Sequence, residues 1–254
     1  MTIAARVAAV SVLATVGRHV GVATLAGMIA GGIVGGFGGR IAMRVTGFVA
    51  GPGQVGLTTT NGNRVGDITL GGTIGVLLVG VALGVLGGLF YAVVQPWTQR
   101  LRPWHGLAFG VFLLVAAGIA VLDPVNSDFR RFGSAPLNLA MFGALFALFG
   151  IVIAWTFDRL PAVAAADGTR ARLVTGLGWL AVLLGTVLVL LAVSGLGTNP
   201  DAVPTIVVAA GLLIAATAHW RKFPALIGYA GLSLSLLAGA ARLASGIPTL
   251  IEGF

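Results

Sequence analysis

The chain has 254 residues, 57% of them apolar and only 9% charged, with a mean hydropathy of +1.04. Soluble domains carry roughly 25% charged residues, so this composition cannot cover a water-facing surface and predicts an all-α polytopic membrane protein. The absence of cysteine excludes disulfides, thiolate nucleophiles and cysteine-ligated metals or clusters. The formal charge of +8 does not point to nucleic acid, because the basic residues stand singly or in pairs between apolar runs, with no patch that mixes them with aromatics. The arginine bias of cytoplasmic loops accounts for the excess. Lys222 is the single lysine among the fifteen basic residues, and Ala, Gly, Val and Leu dominate, a composition of GC-rich bacterial genomes. The bacterial cytoplasmic membrane is the compartment this implies.

Residues 1–16 are mostly apolar but too short to span, since a transmembrane helix needs about 20 residues. Residues 1–19 are read as an interfacial helix leading into the first span; a signal peptide is the alternative, but no small-x-small cleavage site follows. Span one lies between Arg18 and Arg40, which a helix separates by about 33 Å at about 1.5 Å per residue, close to the hydrocarbon thickness. Further spans are expected at 70–94, 106–122, 137–157, 173–196, 205–218 and 225–241, giving seven. The chain divides into a four-span half (20–158), a cytoplasmic linker (159–172) and a three-span half (173–254). All ten prolines fall between or at the ends of these spans, as expected of a residue that interrupts the helical hydrogen-bond ladder.

Arg6, Arg18, Arg100, Arg102, Arg159, Arg170, Arg172, Arg221 and Lys222 fall on one side of this topology. The six remaining cations, Arg40, Arg44, Arg64, Arg130, Arg131 and Arg242, fall on the other. The richer side is read as cytoplasmic, placing the N-terminus inside and the C-terminus outside.

Span one carries the densest pattern. Gly27, Gly31, Gly35 and Gly39 step by four, and so do Gly32, Gly36, Arg40 and Arg44, so each row is expected to hold close to one helix face. The first row is a groove without side chains, in the G-x-x-x-G manner, where another helix can press backbone to backbone. Its partner is a span of this chain or a second protein; Gly80, Gly84 and Gly88 in span two form a similar row. The second row leads into two arginines at the outer end.

The outer loops hold most of the polar residues. Asn61-Gly62 suits a two-residue type I′ turn, and the threonines before it favour strands, which predicts a β-hairpin over residues 55–69. A second loop carries Asp123, Asn126, Asp128, Arg130 and Arg131. Together with Arg40, Arg44, Arg64 and Asp67 these form an outer polar cluster, a candidate site for an anionic head group because guanidinium forks match carboxylate and phosphate. The simpler reading is that the charges pair with one another and pin the loops to the bundle. Asp123 and Asp128 make a poor acid–base pair, since adjacent guanidiniums keep carboxylates ionised. His19, His105 and His219 all fall at cytoplasmic helix ends without metal-ligand spacing, so no metal or other cofactor is expected.

Three functions fit, in this order. The first is a non-enzymatic accessory protein that binds a protein or lipid partner, a further copy of itself included, through the glycine faces and outer loops. The second is a small-solute or ion transporter or channel, disfavoured because spans two to six lack charged residues between their ends. The third is a membrane enzyme that uses the outer Asp/Arg cluster. If Arg40 faces an outer aspartate, Arg40→Ala strands a carboxylate and lowers the yield of folded protein in detergent; unchanged yield and melting behaviour contradict the pairing.

Overall fold

A computed structural model of the protein describes residues 3–51, 57, 69–122, 134–160, 168–194 and 202–251. Helix α1 (Ile3–Ala30) continues through a π-helical segment (Gly31–Gly38) into α2 (Gly39–Ala50). There follow α3 (Leu70–Thr98) with a closing 3-10 turn (Gln99–Leu101), α4 (His105–Leu122) and α5 (Ala135–Arg159). The remaining helices are α6 (Thr169–Ser194), α7 (Ala202–Trp220) and α8 (Ala225–Ile251). Among the described residues, six stretches are long and apolar enough to cross a membrane: Ser11–Val49, Leu70–Leu101, Ala135–Arg159, Thr169–Leu191, Val203–Trp220 and Ala225–Pro248. The third of the seven expected spans is α4, which is apolar but only 18 residues long.

The surface is as apolar as the interior. Phe48 is 88% exposed, Leu70 and Leu226 each 79%, and α6 exposes Leu173, Leu180, Leu183, Leu190 and Leu191. Water does not tolerate a continuous face of this kind. Lipid does, and helices suit it because each satisfies its own backbone groups.

The core is built from small residues. Ala23, Ala26 and Ala30 are fully buried on α1, and one cluster joins them to Tyr91 and Val94 of α3, Phe109 and Phe112 of α4, Ile153 of α5, Ala215 of α7 and Leu232 of α8. The first helix crosses α3 at backbone contact. Gly31 meets Gly80, Gly27 meets Gly84, and Ala23 meets Gly88, so four residues back along one helix is four forward along the other. A methyl group on Gly88 would lie 2.6 Å from the Ala23 carbonyl oxygen, and one on Gly80 equally close to that of Gly31. Gly106 and Gly150 bring α4 to α5 in the same way, and Gly211 and Gly231 bring α7 to α8. The fully buried Ser235 hydroxyl spans that last seam, donating to the Val208 carbonyl at 3.0 Å.

The glycine rows do not continue straight. In the π segment the Gly39 amide reaches the Val34 carbonyl five residues back, and the wider winding turns the later glycines off their face. Gly35 still touches Gly80, but Gly36 of the second row lies on Leu77, Gly32 sits loosely against Val81, and Gly39 is in ordinary contact with Val76.

Two expectations are corrected. Pro96 and Pro248 lie inside α3 and α8, because both helices run past the expected span ends at 94 and 241. Membrane helices accommodate an internal proline where a neighbouring group takes up the freed carbonyl. The hairpin over 55–69 is not supported: no strand occurs among the described residues, and of that stretch only Leu57 and Thr69 are described. Thr69 instead caps α3, its hydroxyl accepting from the Gly72 amide at 3.1 Å. Residues 3–19 and the start of the first span form one continuous helix, α1.

The seam is testable by adding a single carbon. Gly84→Ala places a methyl group on the Gly27 backbone and is expected to destabilise by about 1–3 kcal/mol. Gly176→Ala, on a helix position with open space around it, is expected to stabilise by about 0.5–1 kcal/mol. Denaturation in mixed micelles measures both, and equal effects contradict the seam.

Candidate functional site

The site begins with a missing amide. In an α-helix the Ala92 carbonyl accepts from the N–H of residue 96, but residue 96 is proline and has none. His19 of α1 supplies the donor, with Nε2 3.0 Å from the Ala92 oxygen. This contact is the next rung of the α1–α3 ladder, one turn beyond Ala23 and Gly88. A carbonyl oxygen only accepts, so a hydrogen sits on Nε2, and in the neutral imidazole this leaves Nδ1 as an acceptor.

Around His19 four helices leave an open cleft of about 320 Å³, lined by His19, Gln95, Pro96, Gln99, Phe157 and His219. Its polar lining is uncharged apart from the histidines: two imidazoles and two carboxamides. Gln95 is only 5% exposed, whereas Gln99 and His219 are exposed at the mouth. Phe157 adds an aromatic ring to the lining, and tryptophans pack on the histidines from outside it. His19 meets Phe157 and Trp220 edge-on, at ring-centroid distances of 5.5 and 5.7 Å, and Trp97 stands 6.2 Å from His219. Towards the core, Phe157 packs edge-on against Tyr91, which packs against Phe109, and these last two are fully buried. Phe157 thus joins the cleft lining to this buried aromatic pair.

Buried polar atoms without a hydrogen-bond partner gather at the same end: the hydroxyls of Thr24, Tyr91 and Thr156, the Trp97 indole N–H and the His105 ring nitrogens. His105 Nε2 stands 3.6 Å from Asp158, close enough for ion pairing but outside hydrogen-bond range. Asp158 also takes Arg102 at 3.3 Å, and the Arg159 guanidinium lies 3.9 Å from the centre of the Trp155 ring. These charges ring the helix ends and do not line the cleft. The mouth is held by the end of α7, where Lys222 adopts φ 53° and the Phe223 amide returns to the Ala218 carbonyl at 2.9 Å. That closure stops the helix directly after His219 and Trp220.

Little of the outer polar cluster is described. Arg40 is half-buried, its guanidinium against Gly72 at the start of α3, and Arg44 lies exposed on α2. The Arg40 Nε is buried without a hydrogen-bond partner. Arg64, Asp67, Asp123, Asn126, Asp128, Arg130 and Arg131 lie outside the described residues. At that end Thr46 of α2 donates to Asn138 of α5 at 2.9 Å. The three histidines do share one end of the bundle, but no three His, Asp or Glu side chains among the described residues are grouped to hold a metal.

Gln95, Pro96 and Gln99 are absent from the sequence-level candidates, because Pro96 reads there as a helix terminator. The available signal was a proline flanked by two glutamines with a histidine on the glycine-bearing span. Comparison with known protein families, curated proteins and solved structures finds no match.

The bond between His19 and Ala92 is testable as a cycle. His19→Leu leaves the Ala92 carbonyl without a donor and is expected to cost about 1–2 kcal/mol. In a Pro96→Ala background, where residue 96 again has an amide, the same change is expected to cost far less. Equal costs in both backgrounds contradict the link.

Proposed function

We propose that the chain is an integral protein of the bacterial cytoplasmic membrane, crossing it seven times with the N-terminus inside and the C-terminus outside. Its role in this reading is accessory and non-enzymatic: it holds a lipid-like partner in the cleft at its cytoplasmic helix ends. The observation that carries this is the cleft itself, a hollow lined by two imidazoles, two carboxamides and the Phe157 ring, with Trp220 against His19 and Trp97 against His219, a residue type that favours the membrane interface. An amphiphile fits such a place, its head among the polar groups and its tail in lipid.

Binding through the glycine faces has less support, since Gly27 and Gly31 are occupied by Gly84 and Gly80 of the same chain. The outer arginines and aspartates keep the simpler role of fastening loops. Transport is the weaker reading: the stack of Phe157, Tyr91 and Phe109 stands between the cleft and the middle of the bundle.

Native mass spectrometry of the protein released from its own membrane tests the proposal. A small amphiphile retained in stoichiometric amount is the expected result. A bare chain, or one that carries only another protein, contradicts it.

A further inference from the structure

We infer that the ligand of the cleft is an uncharged, oxygen-bearing aromatic ring on an apolar tail, the chemistry of a membrane quinol or quinone. The inference rests on the cleft being a binding site for an amphiphile and goes on to name the head group.

Charge decides first. A phosphate or carboxylate head calls for guanidinium or ammonium partners, and neither is among the residues that line the cleft. What lines it is neutral and two-handed. The Nδ1 of His19 accepts, because Nε2 is committed to the Ala92 carbonyl, and the carboxamides of Gln95 and Gln99 both donate and accept. A quinol hydroxyl donates to such an imidazole nitrogen, and the oxygens of either redox form accept from a carboxamide.

Shape decides next. About 320 Å³ is near the lower bound of small-molecule sites, which run from about 300 Å³ upward. That space holds a head of one or two fused rings and is too small for a glycosylated one. The Phe157 ring in the lining and the edge-on aromatic contacts of His19 give a flat ring surfaces to pack against. Gln95, nearly fully buried and in the lining, provides a fixed polar contact in place of a mobile surface group.

The test uses the full-length protein in lipid nanodiscs, with decylubiquinol and decylubiquinone as probes and tryptophan fluorescence as readout, since Trp97 and Trp220 flank His219. Saturable quenching is expected. Gln99→Leu and His219→Leu, both at exposed positions and so compatible with folding, are each expected to weaken it by about ten-fold, while melting behaviour is unchanged. Quenching that rises linearly without saturation, as for a probe merely dissolved in lipid, overturns the inference. So does saturable quenching of equal strength in both variants. Displacement of the probe by short-chain phosphatidylglycerol overturns the quinol assignment while the amphiphile reading stands. A chain that retains no amphiphile of any kind in native mass spectrometry removes that reading itself.

Discussion

The close approach of α1 and α3 is the constraint from which the rest follows. Gly31, Gly27 and Ala23 lie on Gly80, Gly84 and Gly88 with no side chain between them, so the two helices have one register and one depth available. Lipid supplies no hydrophobic drive for helices to associate, which leaves van der Waals packing at short range as the main source of adhesion. The same register carries His19 to Ala92. There the seam changes character, from apolar contact to a hydrogen bond that replaces the amide Pro96 lacks.

The two ends of the bundle differ in consequence. One end gathers His19, Gln95, Gln99 and His219 round a hollow, and the helices that form it also carry buried polar atoms without a protein hydrogen bond, the Trp97 indole N–H among them. Such atoms are costly in a low-dielectric setting. Beneath the hollow the Tyr91–Phe109 contact and the buried alanines of α1 make a tight floor. Toward the opposite end the glycine helix is wound more widely and hands over to Arg40, which lies on the first turn of α3. The bundle thus joins a rigid crossing in the middle to polar chemistry at its ends.

Much of the architecture was legible in the chain. Apolar runs long enough to span gave the helices, and the four-residue spacing of Gly80, Gly84 and Gly88 matches that of Gly27 and Gly31 in the sequence itself. The shared depth of His19, His105 and His219 followed from the alternation of spans. Pro96 was misread because proline usually ends a helix, and a linear pattern does not show that a histidine more than seventy residues earlier arrives to take up the freed carbonyl. The π winding at Gly31–Gly38 was equally hidden: glycine permits it, but permission is not a signal.

Composition and periodicity by themselves determined that this is a helical membrane protein, where its apolar helices lie, and that glycine seams run along them. These are local properties, set by the solvent each residue needs and by the spacing of side chains along a helix. The tertiary structure alone decided that α3 fills the α1 groove, that His19 completes the ladder Pro96 interrupts, and that two glutamines from α3 and its closing turn share a cleft with histidines from α1 and α7. Those facts depend on which faces meet and at what register, and register is a relation between distant segments that no single segment carries.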